Sequence, residues 1–305
     1  MILITEFMDA GSVRMMESSH PTLYDPDLAD HPDDILDRLP GVVALIVRNR
    51  TQVTAELLAA AHDLGIVGRL GVGLDNIDLE ACVARGVEVI PATGANARSV
   101  AEYVITCAFM LLRNAYSARS ELLAGHWPRE NCSLGREAGG HRLGLVGFGQ
   151  TARETARLAR GLDMEVIAFD PFLSDASPAW DGITPAPLDR LLGRSDVVSL
   201  HVPLNEDTHH LIDSRRLALM RPGSILINAS RGGVVDETAL ANAMRTGHIA
   251  GAALDVFETE PLSEEAAERF RGLDNLVLTP HIAGVTRDSN ARVSALIAKL
   301  VLERI

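Results

Sequence analysis

Cysteine is scarce in this 305-residue chain, and its three copies, Cys82, Cys107 and Cys132, lie far apart. An odd number of distant cysteines forms neither a CxxC redox pair nor a zinc-binding cluster. We therefore predict reduced thiols, which are typical of a cytoplasmic protein. The adjacent pair His209 and His210 has no second group of potential ligands near it in the sequence, so no metal site is expected.

Long apolar runs and positive charge are also in short supply. No stretch reaches the roughly 20 uninterrupted apolar residues of a membrane span. The first residues, MILITEFMDAGS, lack the basic flank and long apolar core of a signal peptide, and a cytoplasmic location is predicted. The 28 lysines and arginines are outnumbered by 41 acidic residues, so the net charge is -13. This charge disfavours nucleic acid and anionic membranes as partners, and an anionic substrate must meet local arginines.

Short apolar runs alternate with helix-like segments along most of the chain. This alternation predicts parallel α/β sheets, and the continuously apolar runs indicate strands that are buried on both faces. Hydrophobic residues make up 47% of the chain, which is enough for the cores of two modest domains. A long apolar helix is predicted at 99–123. The predicted strands are 2–5, 44–47, 66–69, 87–90, 142–146, 165–169, 197–200, 224–228, 252–255 and 276–278.

A glycine-rich turn lies between the predicted strand 142–146 and a helix-like segment. Gly147, Gly149 and Ala152 give G-x-G-x-x-A in the strand-to-helix context that dinucleotide binding requires. Gly147 permits the tight turn, and Gly149 lets the backbone approach a pyrophosphate at the helix N-terminus. Gln150 and Thr151, inside the motif, are predicted to contact the cofactor as well. The alternative is a simple turn, because a glycine-rich strand end alone is a weak signal.

An acidic residue, Asp170, ends the next predicted strand about 20 residues beyond the glycines. A carboxylate at this position accepts hydrogen bonds from both ribose hydroxyls of an adenosine. It would repel a 2'-phosphate, and no arginine follows in the next four residues, so NAD is predicted rather than NADP. The alternative is that Asp170 is only a turn residue before Pro171.

Three polar residues follow later predicted strands, at the edge where open α/β sheets bind ligands: Arg231, Glu260 and His281. Reduction of a 2-oxo acid needs a proton donor, an acid that tunes this donor, and a cation for the substrate carboxylate. Histidine, glutamate and arginine suit these tasks. Each residue alone has a structural alternative: a core hydrogen bond, a turn cap or a solvated loop. The three together, behind a dinucleotide motif, favour catalysis. His201 also follows a strand, where a cofactor contact and a structural role are equally plausible.

With these residues assembled, the chain resembles the D-isomer-specific 2-hydroxyacid dehydrogenase family, particularly its phosphoglycerate and sulfolactate dehydrogenase branches. The resemblance covers nearly the whole chain and implies that Arg231, Glu260 and His281 are the catalytic set. Formate dehydrogenases of this fold typically have Gln where Glu260 stands, which argues against a formate-type reaction. The segments that carry the resemblance include GRLGVGLDNIDLEAC at 68–82, LGLVGFGQTA at 143–152, NASRGGVVDE at 228–237, GAALDVFETEPL at 251–262 and LTPHIAG at 278–284.

The resemblance also implies further ligand contacts. Contacts with the nicotinamide side of the cofactor are expected from Val202, Ala229, Ser230, Asp255, His281 and Gly284. Contacts with the substrate are expected from Arg48, Asn49, Arg69, Gly71, Val72, Gly73 and Arg231. If Arg48 and Arg69 both face the substrate, it should carry a second anion at C3, namely a sulfonate, phosphate or carboxylate. The alternative is that both are surface arginines at strand ends.

The domain organisation follows from the same resemblance. A Rossmann-type dinucleotide-binding domain, at 98–282, is expected to be inserted into a discontinuous flavodoxin-like α/β substrate domain, at 1–97 and 283–305. Relatives commonly dimerise through the cofactor domain, so a homodimer is expected, and its interface would explain the apolar helix at 99–123. Some relatives act as corepressors, and an NADH-binding interaction protein on the same fold is therefore the alternative function.

Overall fold

The computed structural model describes residues 1–114, 116, 118–174 and 176–305. Contacts within the chain divide it into two compact units. The first unit comprises Met1–Asn96 and Val285–Ile305, and the second unit comprises Ala97–Gly284.

Both units are α/β structures. The strands are β1 (Ile2–Ile4), β2 (Thr22–Tyr24), β3 (Ala44–Val47), β4 (Ile66–Arg69), β5 (Glu88–Pro91), β6 (Arg142–Val146), β7 (Glu165–Phe169), β8 (Thr184–Pro185), β9 (Val197–Leu200), β10 (Ser224–Asn228), β11 (Ile249–Leu254) and β12 (Leu276–Leu278). The helices are α1 (Ala10–Ser19), α2 (Pro32–Arg38), α3 (Ala55–Ala60), α4 (Leu79–Ala84), α5 (Ala97–Arg113), α6 (Arg119–Leu123), α7 (Arg129–Cys132), α8 (Gln150–Arg160), α9 (Leu188–Leu192), α10 (Ser214–Leu219), α11 (Glu237–Arg245), α12 (Glu264–Ala267) and α13 (Arg287–Leu302).

The first unit is built on a five-stranded parallel sheet in the order β2-β1-β3-β4-β5. This is the flavodoxin-like order. Helices α1 and α13 contribute Met16 and Ile297 to the core on one face, and α2 and α3 contribute Ile35 and Leu58 to the core on the other. Burial on both faces explains why these strands are continuously apolar.

The second unit contains a seven-stranded sheet in the order β12-β11-β10-β9-β6-β7-β8, and all its strand pairs are parallel. Counted from β6, this is the Rossmann order 3-2-1-4-5-6 with one further strand. Helices α5 and α8 cover one face through Val104 and Ala156, while α9 and α11 cover the other through Leu191 and Leu240. The predicted fold class is confirmed.

Every predicted strand is present, with ends that shift by up to three residues. The prediction missed β2 and β8, which are short edge strands, and β8 contains Pro185. The single helix predicted at 99–123 is wrong: α5 ends at Arg113, where Asn114 takes a left-handed φ of 46°, and α6 begins at Arg119. Asparagine adopts this conformation more readily than most residues, and it stops the helix despite the apolar sequence. Ala115 and Ser117, which the same prediction covered, lie outside the described residues.

Candidate active site

Nearly all the candidate residues of the second unit lie at one edge of its sheet. Because the strands are parallel, their carboxyl ends share this edge, which is the ligand-binding edge of open α/β sheets. Gly147 follows β6, Asp170 follows β7, Val202 lies after β9, Ala229, Ser230 and Arg231 follow β10, Asp255 and Glu260 follow β11, and His281 follows β12.

The imidazole of His281 and the carboxylate of Glu260 form a direct pair. Nδ1 of His281 lies 2.7 Å from Oε2 of Glu260. The two side chains are 49% and 35% exposed, so a small molecule can reach them from solvent. The contact orients the ring through Nδ1 and leaves Nε2 for proton transfer.

Glu260 is held in its ionised form. Partial burial raises its pKa, but hydrogen bonds from His281 and from the N–H of Phe257, together with the positive charge of Arg231, outweigh burial. The pKa of Glu260 therefore lies below its ordinary value of 4.5. The Phe257 N–H donates to Oε1 at 3.0 Å, opposite the oxygen that contacts His281. An anion thus stands beside the imidazole throughout the neutral pH range.

His281 sits in a strained backbone conformation, with a φ of 55°. Such conformations in residues other than glycine are costly and persist only where the surroundings enforce them. Asp255 supplies much of this constraint. Its backbone carbonyl accepts from the N–H of His281 at 2.8 Å, and its carboxylate accepts from the N–H groups of Ile282 and Ala283 at 2.8 and 2.7 Å.

A chain of hydroxyl groups completes the support of this loop. The Thr279 hydroxyl donates to Oδ1 of Asp255 at 2.6 Å and contacts the Tyr103 hydroxyl at 2.6 Å. Asp255 is almost fully buried, at 1% exposure. Its carboxylate therefore positions the His281 loop, a role that its sequence position alone did not reveal.

The loop that carries Arg231 is shaped by Asn228, the last residue of β10. Its amide nitrogen donates to the Arg231 carbonyl at 2.9 Å, and its amide oxygen accepts from both the N–H and the hydroxyl of Ser230, at 3.1 and 2.8 Å. The Arg231 guanidinium donates to the Ser230 carbonyl at 2.7 Å. A Cβ at Gly232 would overlap the Phe257 carbonyl, so the Arg231 loop and the segment leading to Glu260 are in backbone contact.

A second connection joins these two segments. The carboxylate of Glu237, which is only 3% exposed, accepts from the N–H of Glu258 at 2.7 Å, and Glu258 accepts from the N–H of Glu237 at 3.3 Å. Arg269 bridges the two carboxylates at 3.3 and 3.2 Å, and His210 contacts Glu258 at 3.1 Å. The Glu237–Glu258 link was missed, because nothing in the sequence spacing shows which surface carboxylates are withdrawn from water.

The glycine-rich turn has the features of an anion-binding site. Gly147 has a φ of 86°, and a Cβ there would lie 2.5 Å from the His201 carbonyl oxygen. Gly149 is the N-cap of helix α8 and provides no side-chain cap, whereas Asp236 caps α11 and Thr286 caps α13. No atom lies within 4 Å of the Cβ position of Gly149, so the uncapped N–H groups have open space for a phosphate.

Asp170 is fixed beside this turn. Its Oδ2 accepts from the N–H of Phe148 at 2.9 Å, and its Oδ1 accepts from the N–H of Phe172 at 2.9 Å. Each oxygen retains a lone pair for a ribose hydroxyl. Together with the uncapped helix, these residues fit an NAD molecule with its pyrophosphate at Gly149, Gln150 and Thr151 and its adenosine ribose at Asp170.

Among the histidines outside the pair, His201 is neutral, because burial lowers its pKa to about 4. Its Nε2 contacts the Ser199 hydroxyl at 3.0 Å, and its backbone packs against the Gly147 turn. Within the part of the chain that the structure describes, no group of three or more acidic, histidine or cysteine side chains is arranged to hold a metal ion. None of the described helices has both the length and the apolar composition that crossing a membrane requires.

The first unit groups the substrate candidates at the carboxyl ends of two neighbouring strands. Arg48 and Asn49 follow β3, Arg69 ends β4, and Gly71, Val72 and Gly73 follow it. Val47 and Arg69 are register partners, so the two strands end side by side. A Cβ at Gly71 would overlap the Arg69 guanidinium, which therefore lies directly against this loop.

Comparison with known proteins shows which family the chain resembles. The model of the "D-isomer specific 2-hydroxyacid dehydrogenase, NAD binding domain" matches residues 105–283. An (S)-sulfolactate dehydrogenase of Chromohalobacter salexigens is 52% identical over 294 residues, which cover 96% of this chain and 94% of that protein. A D-3-phosphoglycerate dehydrogenase of Archaeoglobus fulgidus is 39% identical over 88% of this chain and 50% of its own length.

A solved structure shows the same similarity. D-lactate dehydrogenase from Aquifex aeolicus, in complex with NAD and lactic acid, matches with a TM-score of 0.84 and 29% identity, over 99% of this chain and 94% of that one. The relatives named here are dehydrogenases, and they give no support to the alternative of an NADH-binding interaction protein. The chain therefore belongs to the D-isomer-specific 2-hydroxyacid dehydrogenase family and is an NAD-dependent oxidoreductase that acts at C2 of a 2-hydroxy acid.

Proposed function

We propose that this enzyme interconverts (S)-sulfolactate, or a 2-hydroxy acid with a similar second anion at C3, and the corresponding 2-oxo acid. The observation that carries the proposal is the placement of Arg48 and Arg69 at the carboxyl ends of the neighbouring strands β3 and β4. The name of the Chromohalobacter relative, which is 52% identical, supports a sulfonate as the second anion.

The surroundings of the arginines favour binding over a surface role. Arg48 and Arg69 are both partly buried, whereas Arg50, two residues after Arg48, is exposed and pairs with Asp30. Burial lowers the pKa of Arg48, and the charge of Glu6 acts in the opposite direction. Guanidinium groups stay protonated under such conditions. In a protein with a net charge of -13, two partly buried cations at one sheet edge provide a local site for an anion.

The carboxylate at C1 is assigned to the loop after β4 and to Arg231. The N–H of Gly71 already donates to the Arg69 carbonyl at 2.8 Å. The N–H groups of Val72 and Gly73 are therefore the better candidates to bind the carboxylate. Asn49 is assigned, together with Arg48, to the second anion. Arg231 adds a planar set of donors that suits a carboxylate and the neighbouring carbonyl oxygen.

Proton transfer is assigned to His281. During oxidation, its Nε2 accepts the proton of the C2 hydroxyl, and Glu260 stabilises the resulting imidazolium. During reduction, the protonated ring returns the proton to the new alkoxide while Arg231 holds the carboxylate. NAD, when bound, supplies the hydride acceptor and, in its reduced form, the hydride donor. Val202, Ala229, Ser230, Asp255, His281 and Gly284 are the proposed contacts on its nicotinamide side.

The stereochemical descriptor of the proposed substrate agrees with a D-specific family. In lactate, the carboxylate outranks the methyl group in the priority rules, and the D form is R. In sulfolactate, the sulfonate-bearing carbon outranks the carboxylate, so the same spatial arrangement receives the descriptor S. D-lactate and (S)-sulfolactate thus present the hydrogen, the hydroxyl and the carboxylate at C2 in the same spatial arrangement.

We further propose a homodimer formed by the second unit. The segment after α5 exposes the apolar side chains of Leu122, Leu123, Trp127 and Leu134. Exposed apolar groups concentrated in this way are typical of a protein interface. Sedimentation equilibrium at micromolar concentration should give twice the 32.8 kDa mass of the chain, and a single-chain mass would refute the dimer.

The proposed domains are an NAD-binding domain at 98–282 and a substrate domain at 1–97 and 283–305. The proposed location is the cytoplasm, because Cys82, Cys107 and Cys132 are free thiols. Immunodetection in separated cytoplasmic and extracytoplasmic fractions tests the location, and enrichment outside the cytoplasm would contradict it.

The test of the substrate is a comparison of kcat/KM with NAD for both enantiomers of sulfolactate, D-3-phosphoglycerate and D-lactate. We expect (S)-sulfolactate to exceed D-lactate by about 100-fold, because a charge-assisted contact contributes about 1.5–3 kcal/mol. Equal values for D-lactate and the dianions would overturn the proposal. Preference for D-3-phosphoglycerate would keep the second anion and replace the sulfonate with a phosphate.

Variants of the two neighbouring arginines provide a matched comparison. Arg48→Ala should raise the KM for (S)-sulfolactate by about 10- to 100-fold while leaving the KM for D-lactate nearly unchanged. Arg50→Ala, in the same loop, should leave both KM values within about twofold, because exposed ion pairs contribute little. Similar effects of the two variants would show that Arg48 has no special contact with the second anion.

A further inference from the structure

Glu6 makes an unusual set of contacts with the loop that begins at Arg48. It lies two residues beyond β1 and is only 3% exposed. Its Oε1 accepts from the N–H groups of Arg48, Arg50 and Thr51 at 2.8, 3.3 and 3.0 Å. Its Oε2 accepts from those of Asn49 and Arg50 at 3.3 and 3.1 Å.

One carboxylate therefore holds the N–H groups of four consecutive residues. Successive N–H groups that converge in this way form a concavity that binds anions, and here the anion is a side chain of the protein itself. A glutamine at this position would turn a donating NH₂ group toward N–H donors and would lose the bonds at one oxygen. The path of the loop at 48–51 therefore depends on a carboxylate.

The Arg48 side chain is restrained from a second direction. Its Nη2 donates to Oδ1 of Asn290, on α13, at 2.9 Å. The backbone of Arg48 is held by Glu6 and one edge of its guanidinium by Asn290, which leaves the remaining donors of the fork with a defined direction. Thr5 and Thr51 add a hydroxyl contact of 2.8 Å beside the carboxylate.

We infer that Glu6 is a positioning residue for substrate selection, which acts by fixing the Arg48 loop so that the guanidinium meets the second anion of the substrate. This inference rests on the proposed function. The N–H contacts of Glu6 all lie in the loop at 48–51 of the first unit, so we expect its effect on KM for dianionic substrates and not on kcat.

Two effects of removing the Glu6 charge oppose each other. Loss of a negative charge near Arg48 strengthens the attraction for a dianion, whereas loss of the N–H contacts releases the loop. The charge of Glu6 changes the pKa of Arg48 less than burial does, whereas the five N–H contacts of its carboxylate hold the loop directly. Loss of the loop geometry is therefore the larger effect, and binding of the dianion weakens.

The experiment measures KM and kcat for (S)-sulfolactate and for D-lactate in wild type, Glu6→Gln, Arg48→Ala and the double variant. We expect Glu6→Gln to raise the KM for (S)-sulfolactate about tenfold, with kcat and the KM for D-lactate changed less than threefold. In the Arg48→Ala background, Glu6→Gln should add less than a twofold further effect, because both act through one guanidinium. Glu6→Asp, which keeps the charge on a shorter stem, should give a smaller rise and serves if Glu6→Gln does not fold.

Two results would overturn the inference: equal changes of KM for both substrates, or fully multiplicative effects of the two substitutions in the double variant. A wild-type enzyme without preference for the dianion would instead refute the proposed function, and the inference with it. A preference for the dianion that survives unchanged in Glu6→Gln and Glu6→Asp would refute the inference alone.

Discussion

Glu260 contacts two partners through its two oxygens: Oε2 meets Nδ1 of His281 at 2.7 Å, and Oε1 accepts from the N–H of Phe257 at 3.0 Å. The backbone contact fixes the carboxylate, and the carboxylate in turn fixes the ring. This relationship determines the orientation of the imidazole that is proposed to carry the proton.

Replacement of Glu260 with Gln should lower kcat for 2-oxo acid reduction by about 100-fold. The pKa of Glu260 lies below 4.5, so the carboxylate form is present above that pH and stabilises the protonated ring. Glu260 stays ionised from pH 6 to pH 8, so the loss of kcat should be of similar size across this range. Glu264→Gln, at a side chain that is 90% exposed, is the control and should retain the wild-type kcat. A kcat of Glu260→Gln within about twofold of wild type would show that the contact has no role in proton transfer.

The backbone contact between the Arg231 loop and the segment leading to Glu260 predicts that one added methyl group strongly reduces activity. Gly232→Ala places a Cβ on the Phe257 carbonyl, so Arg231 and Glu260 must move apart. We expect kcat/KM to fall by about 100-fold, since small misplacements of catalytic groups cost this much. Gly139→Ala, whose Cβ would meet its nearest neighbours at an ordinary 3.9 Å, should retain wild-type activity. Comparable activity of the two variants would argue against the close packing of these loops.

Cofactor preference should depend on Asp170. Asp170→Asn removes a charge that accepts from ribose hydroxyls and repels a 2'-phosphate, so the Kd for NADH should rise about tenfold and the preference for NADH over NADPH should narrow. Fluorescence titration with both nucleotides measures the two constants. An unchanged ratio would mean that the carboxylate only supports the Phe148 turn.

Arg98 on α5 and Glu154 and Arg157 on α8 form an ion cluster that should make the stability of the fold depend on pH. Hydrogen bonds from Arg157 and Arg98 lower the pKa of Glu154 from 4.5 to about 2, against the effect of burial. A carboxylate whose pKa is lower in the folded than in the unfolded protein stabilises the fold at pH values above its unfolded-state pKa. This stabilisation is lost as the pH falls toward its folded-state pKa. Glu154→Gln should therefore lower Tm by about 2 °C at pH 7. The difference should shrink between pH 5 and pH 3, and a constant difference would exclude this ionisation as its cause.

Much of the fold was readable from the sequence, because strands buried on both faces are continuously apolar and glycines mark the strand-to-helix turn at Gly147. The helix predicted at 99–123 failed because hydrophobicity does not show where Asn114 adopts a left-handed conformation. The prediction missed the edge strand β8 because its two residues include a proline and carry almost no hydrophobic pattern.

The shared position of the residues proposed for catalysis was also readable, since each follows a strand and parallel strands end at one edge. The buried carboxylates that hold the loops of the two units were not readable. Glu6 and Arg48 are 42 residues apart in the chain, and Glu237 and Glu258 are 21 apart. Nothing in their spacing distinguishes such buried carboxylates from the many exposed acids of this chain. Only the packing shows which of them accept backbone N–H groups.

The most direct test of the catalytic assignment is the kinetics of His281→Ala with the preferred substrate, together with a titration of NADH binding. If His281 carries the proton, kcat should fall by at least about 1,000-fold. The Kd for NADH should stay within about threefold of the wild-type value, since the phosphate and ribose contacts at Gly149 and Asp170 are intact. Turnover close to that of the wild-type enzyme would contradict the assignment.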